Sequence, residues 1–279
     1  MTKPYDIPPI KINGIKSKLL PFIQSNLPHD YKKNTWIEPF MGSGVVGFNF
    51  AGIHAQFADI NPHIIKFYTD LQNDNVTPYE LKLYLAEQSI YTIKNPDHYY
   101  MIRDRFNKNP NSFDFLYLSR MCFNGIMRFN QQNKFNVPFS KNENRLTTKY
   151  ITTLCEQIHK IQFKIQNNNW KFKVATFDEI IPTANKNDFI YCDPPYTGLN
   201  TNYYGNWKIE NDQQMFQLLQ QTQCNWMISN WKQRGQKVNP LLETLYKDQI
   251  IKTQQHTYIV GGTKEKRPSI TEVLIMNYR

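Results

Sequence analysis

Four consecutive apolar residues, Phe189, Ile190, Tyr191 and Cys192, lie between two aspartates, and the second of these opens the run Asp193, Pro194, Pro195, Tyr196. The run is too short for a helix, and no polar residue alternates within it. As a strand it needs apolar cover on both faces, which a mostly parallel sheet flanked by helices provides. Six further segments have strand character: "TWIEPF" (35–40), "AQFADI" (55–60), "KFKVATF" (171–177), "NWMISN" (225–230), "IIKTQQHTYIV" (250–260) and "EVLIMNY" (272–278). With "DFIYCDP" (188–194) they predict a doubly wound α/β sheet of seven strands. The last two are joined by "GGTKEKRPS", which reads as a hairpin, so the final strand is expected to run antiparallel.

Residues 71–165 break this alternation. Thr77, Pro78 and Glu80 form a capping box with proline at the first helical position. Asn95 and Pro96 start a second helix, "FDFLYLSRMCF" (113–123) is a third, extended to a stop at Asn124-Gly125, and "TKYITTLCEQIHKI" (148–161) is a fourth. A mainly helical insertion is therefore expected between the second and third strands. This divides the chain into residues 1–70 and 166–279, carrying the sheet, and residues 71–165. The formal net charge is +10, and residues 95–149 hold nine Lys and Arg against four acids, half of that excess in a fifth of the chain. An acidic polymer is the partner this charge suits, nucleic acid first, against the simpler reading of a solvated basic face.

The ends of three strands carry chemistry. In "WIEPFMGSG" a strand ends and Gly42 and Gly44 let the backbone turn sharply and approach a ligand closely. Seventeen residues after Gly42, Asp59 ends the second strand where an acid can accept hydrogen bonds from ribose hydroxyls. There is no third glycine in dinucleotide spacing and no Lys-Ser/Thr phosphate loop, which disfavours NAD and ATP. A nucleoside cofactor without pyrophosphate is left, and S-adenosylmethionine fits. Asp193 falls at the carboxyl end of its strand, facing the ligand crevice of such a sheet. Pro194 and Pro195 have no N–H and a fixed φ, so they hold a rigid turn with free carbonyl acceptors. Asp193 and the Pro194 carbonyl can then accept both protons of an exocyclic amine while Tyr196 stacks on its ring.

A further segment, "LSRMCFNGIMRFNQQNKFNVPFS" (118–140), interleaves aromatics with Arg128 and Lys134, as a ribbon inserted into a duplex does. Phe135 and Phe139 read better as core residues.

Taken together, "KINGIKSKLL", "EPFMGSG", "ADIN", "CFNGIMRFN…KFNVPFS", "DPPY" and "RPSITEVLIMNY" resemble the Dam-type DNA adenine-N6 methyltransferases, restriction-modification members included, over nearly the whole chain. The resemblance implies a Rossmann-like S-adenosylmethionine-dependent methyltransferase sheet with a DNA-recognition insertion. It implies catalytic roles for Asp193, Pro194, Pro195 and Tyr196, and cofactor contacts from Ile12, Lys16, Glu38, Phe40, Gly42, Gly44, Asp59, Phe177 and Asp193. It also implies DNA contacts from Lys11, Phe123, Asn124, Ile126, Arg128, Asn136 and Pro138. Of these, Arg128 would read a guanine with Lys11 near the same base pair, Ile126 and Pro138 would touch a thymine methyl, and Phe123 would enter the stack beside an extruded adenine. Asn124 falls where a phosphate or orphan-base contact is expected, and a site containing GAT, such as GATC, follows. Ile12 and Ile15 stand where the family has a tryptophan and a second glycine. The segment "TGLNTNYYGNW" looks like restriction-associated members, which favours a cognate endonuclease partner without a stable complex.

The implied reaction is an SN2 methyl transfer to a flipped adenine. Methylation of cytosine N4, of RNA or of a protein amide, and a DNA-binding module that has lost catalysis, are the alternatives. Cys122, Cys155, Cys192 and Cys224 have neither disulfide nor metal-ligand spacing, six histidines are scattered, and no apolar stretch reaches membrane length. A cytoplasmic, metal-free protein is expected.

Overall fold

The computed structural model describes residues 5–199, 207–257 and 269–279. Its strands are β1 (Trp36–Glu38), β2 (His54–Asp59), β3 (Asn169–Val174), β4 (Phe189–Cys192), β5 (Asn225–Arg234), β6 (Lys237–Val238), β7 (Ile250–Thr257) and β8 (Ser269–Met276). Seven form a continuous sheet in the order β3-β2-β1-β4-β5-β8-β7, and the two-residue β6, which no sequence signal announced, pairs with β5. Neighbours from β3 to β5 are parallel, and β8 lies antiparallel between β5 and β7. The expected hairpin loop between β7 and β8 falls largely at residues 258–268, outside the described residues.

The helices are α1 (Leu20–Gln24), α2 (Gly47–Phe50), α3 (Pro62–Gln72), α4 (Pro78–Lys94), α5 (His98–Lys108), α6 (Ser112–Met121), α7 (Thr148–Gln166), α8 (Phe177–Ile180), α9 (Ile209–Gln221) and α10 (Leu241–Thr244). Burial explains the unbroken apolar run of β4. Phe189 and Tyr191 enter one core with Trp36, Phe57 and Met227, while Ile190 and Cys192 enter the other with Ile37, Ala58 and Ile228. The first core continues without a break into Leu81, Leu85, Tyr99, Phe106 and Phe115 of α4 to α6. The insertion thus packs on one face of the sheet and shares its core.

Within the insertion, Thr77 and Glu80 make the reciprocal capping box read from the sequence: Glu80 N donates to Thr77 Oγ1 at 3.2 Å, and Thr77 N to Glu80 Oε2 at 2.9 Å. Helix α6 stops earlier than its apolar composition suggested, at Met121. Cys122 is already extended, Phe123–Gly125 form a 3-10 turn, and Asn124 has φ +53°. The cause is tertiary: Met121 O accepts from Ser140 N at 2.9 Å, and Phe123 N donates to Pro138 O at 2.8 Å, so a returning strand takes the groups that helix would use.

Candidate active site

The sheet reverses its winding between β1 and β4, and ligands of open α/β sheets bind in the crevice outside such a switch point. After β1 the chain turns through Gly42 (φ +49°) and Gly44 (φ +76°), and a Cβ on Gly44 would lie 2.6 Å from the Phe48 ring. Gly42 N donates to Asp59 Oδ2 at 2.9 Å, and Asn61 N donates to Asp59 Oδ1 at 2.8 Å. Asn61 in turn caps α3, with Pro62 at the first helical position, so one short motif ends β2, fixes the acid and starts the helix. Burial raises the Asp59 carboxyl to about 6 against those two donors. Each oxygen accepts one N–H and keeps capacity for a ligand hydroxyl.

Ile12 sits over this loop, its Cδ1 4.0 Å from where a Gly42 Cβ would be. Phe40 stacks on Phe177 with centroids 5.7 Å apart, and both pack edge-on against Trp207 at 5.4 Å. Glu38 is buried beneath the loop, where Oε2 accepts from Trp36 Nε1 at 3.0 Å; burial holds its carboxyl well above the usual range.

Asp193 follows β4 directly. Its Oδ1 lies 2.8 Å from Lys16 Nζ, which also donates to Gly14 O at 3.0 Å and stands 4.9 Å over the Tyr196 ring. Burial raises the Asp193 carboxyl and the Lys16 charge partly opposes that rise. Tyr196 is oriented by its hydroxyl, which donates to Glu272 Oε2 at 2.7 Å from the buried face of β8. Pro194 is buried and Pro195 half-buried. Glu272 went unassigned in the sequence because a lone acid in an apolar strand carries no motif; its mismatch with that strand was the available signal.

Residues 122–139 form a short antiparallel ribbon. Phe129 bridges to Phe135, Cys122 to Phe139, and Asn136 N donates to Arg128 O at 3.3 Å. Alternation sorts its side chains: Met127, Phe135, Val137 and Phe139 are buried, Asn136 and Pro138 are exposed, Arg128 is partly exposed, and Ile126 is partly buried against the core. Arg128 Nε donates to Asn136 Oδ1 at 2.8 Å, which fixes the plane of the guanidinium. Phe123 is 48% exposed beside Asn124. Lys11 runs along Gly125, where a Cβ would meet its Cδ at 2.5 Å; burial and the nearby Arg145 and Arg120 lower its ammonium. The segment from Lys11 to Lys16 therefore reaches from the ribbon to Asp193.

Residues 13–260 match the family described as D12 class N6 adenine-specific DNA methyltransferase. The chain belongs to this family. It is 30% identical to a Type II methyltransferase of Lactococcus lactis subsp. cremoris, over 96% of this chain and 94% of that protein. It is 35% identical to a DNA adenine methylase of Haemophilus influenzae, over 71% and 67%. It is 29% identical to a Type II methyltransferase of Methanocaldococcus jannaschii, over 97% and 99%. The protein is thus a methyl-transfer enzyme of the DNA adenine class. Among the described residues no helix is long and apolar enough to cross a membrane, and Cys122, Cys155, Cys192 and Cys224 are buried free thiols.

Proposed function

We propose that this enzyme methylates N6 of an adenine flipped out of duplex DNA into the Asp193–Tyr196 clamp, with S-adenosylmethionine as donor. One observation carries the reading: the clamp already holds an amine. Lys16 Nζ, 2.8 Å from Asp193 Oδ1 and 4.9 Å over the Tyr196 ring, stands in for the exocyclic nitrogen of a stacked base.

The crevice residues fit the donor. Asp59 would take its ribose hydroxyls, Gly42 and Gly44 its close approach, and Phe40 and Phe177 its flat ring, while Asp193 supplies negative charge that suits a sulfonium and Glu38 stays a buried carboxyl beneath the loop. S-adenosylmethionine supplies an electrophilic methyl group. The protein's part is positioning and electrostatics: Asp193 and the Pro194 carbonyl accept the two N6 protons, which turns the nitrogen lone pair toward the donor side. Flipping costs a few kcal/mol. Stacking on Tyr196 returns roughly 1 to 3 kcal/mol of it.

On this reading residues 71–165 form the DNA-recognition part and residues 1–70 and 166–279 the catalytic part. Arg128 reads a guanine 5′ of the target, Ile126 and Pro138 face a thymine methyl, and Phe123 and Asn124 stand at the gap left by the adenine. The Type II relatives support a modification role beside a restriction endonuclease.

The test is incubation with labelled S-adenosylmethionine and genomic DNA lacking adenine methylation, followed by mapping of N6-methyladenine. Methylated adenines within one short motif, lost in Asp193→Ala, are expected. Label found at cytosine N4 or only in RNA, or DNA binding without label, would overturn the reading.

A further inference from the structure

One buried acid plays no part in the clamp or in the cofactor crevice. Asp212, in the first turn of α9, is fully buried. Its Oδ2 accepts from the Thr197 hydroxyl and from Trp207 Nε1, the latter at 3.0 Å, while its Oδ1 has no hydrogen-bond partner among the described residues. An acid near a helix start is favoured by the helix dipole, but exposed Glu210 in the same turn serves that purpose from the surface. Burying a second carboxylate there, with one oxygen unpaired, costs stability and calls for another reason.

The two donors supply one. Thr197 follows the clamp tyrosine Tyr196 directly, and its carbonyl accepts from Trp231 Nε1 at 2.9 Å. Trp207 closes the aromatic wall made by Phe40, from the glycine loop, and Phe177, at the start of α8. One carboxylate oxygen therefore joins the Thr197 side chain, next to the target clamp, to the wall of the cofactor crevice.

We infer that Asp212 is a positioning residue that couples the two halves of the site, so that filling the cofactor crevice sets the Tyr196 turn for the target base. This rests on the methyl-transfer reading above. Coupling of this kind is a difference in affinity between states, and it is reciprocal. Cofactor should strengthen binding of a flipped base, and a flipped base should strengthen binding of cofactor, by the same factor.

The experiment uses the full-length chain with duplex DNA carrying 2-aminopurine at the target position, whose fluorescence reports the flipped state. Flipping and DNA affinity are titrated with and without S-adenosylhomocysteine, alongside single-turnover methyl transfer on the adenine duplex. Asp212→Asn, Thr197→Val and Trp207→Phe are compared with wild type, and melting temperatures are recorded for each. In wild type, S-adenosylhomocysteine should raise flipping about tenfold, the typical range for a coupling of this size. In each variant that factor should fall toward one and single-turnover rates should drop about tenfold, with DNA affinity in the absence of cofactor held within about twofold. If both variants act through one oxygen, Thr197→Val combined with Trp207→Phe should lose no more coupling than either alone.

Lower melting temperatures with the wild-type coupling factor retained would mean a merely structural acid and overturn the inference. Should Asp212→Asn fail to fold, Thr197→Val and Trp207→Phe decide the matter. A wild-type protein that transfers no methyl group overturns the methyl-transfer reading and this inference together; an active wild type with coupling intact in the variants overturns only the inference.

Discussion

Asp59 shows how a residue can be costly to the fold and useful to the site. Its carboxyl is raised to about 6, above the ordinary value of about 4 that it has in the unfolded chain. Between those two values the folded state binds more protons. The cost of burying the charge is therefore fully present above about pH 6, and it is relieved as pH falls from 6 toward 4. A ligand that donates ribose hydroxyls to the carboxylate favours the ionised form, so binding has the opposite slope. Affinity for S-adenosylmethionine should be flat from pH 8 to about 6.5 and then weaken as the acid protonates, approaching about tenfold by pH 5. Calorimetric titration across this range measures it. Asp212 is also raised to about 6, so Asp59→Asn serves as the control. Its affinity should be weaker at pH 8 and should lose most of the slope. A slope unchanged in Asp59→Asn would assign the titration to another group.

The recognition ribbon shows what an element adds to its residues. Its two strands set partly exposed Arg128 opposite exposed Asn136 and bring exposed Pro138 beside Phe123, because buried Phe135, Val137 and Phe139 fix the register. Arg128→Ala should cost about 1 to 3 kcal/mol of discrimination at the guanine, read as relative methylation rates on duplexes altered at that base. Asn136→Ala keeps the guanidinium but removes the acceptor that holds its Nε, and should relax the same preference by less. Uniform loss on all sequences in both variants would make Arg128 a backbone contact. Part of this was legible beforehand: Phe135 and Phe139 read as core residues and are buried, and the run at β4 demanded a sheet covered on both faces. The end of α6 was not legible, since "LYLSRMCF" carries no helix-stop residue and the partner that takes its backbone groups, Pro138 to Ser140, lies some seventeen residues on. Asp212 and Glu272 were hidden for a related reason. Each is a single acid whose meaning depends on partners that no motif ties to it: Glu272 holds Tyr196, and Asp212 holds Thr197 and Trp207.

At the scale of the whole molecule, net charge overstates what faces DNA. Of the nine cations in residues 95–149, Arg105 is bound to buried Asp114, with Nε to Oδ2 at 2.9 Å, and Arg103 lies 3.7 Å from Asp104. Arg120 is turned inward over the Tyr150 ring, and Arg145 donates to the carbonyls of Arg120 and Cys122 at 2.8 and 3.0 Å. These four build the insertion. Lys108, Lys134, Lys141 and Lys149 are exposed, and Arg128 is partly so on the outer face of the ribbon. Each phosphate neutralised by such a group contributes about 0.9 to the slope of log affinity against log salt. Five contacts from this segment predict a slope of magnitude about 4 to 5, whereas a surface using the full excess of +10 would give about 9. Titration of a non-cognate duplex by fluorescence anisotropy between 50 and 300 mM salt, ranges chosen at about the physiological value, distinguishes the two. Lys134→Ala and Lys141→Ala should each lower the slope by about 1 while leaving sequence preference intact. Arg105→Lys should leave the slope unchanged and lower thermal stability, because an ammonium cannot reproduce the paired bonds that the guanidinium makes to Asp114. A slope that falls by about 1 in the charge-removing variant Arg105→Gln would mean that the Asp114 pair opens on DNA and that its cation belongs to the binding surface.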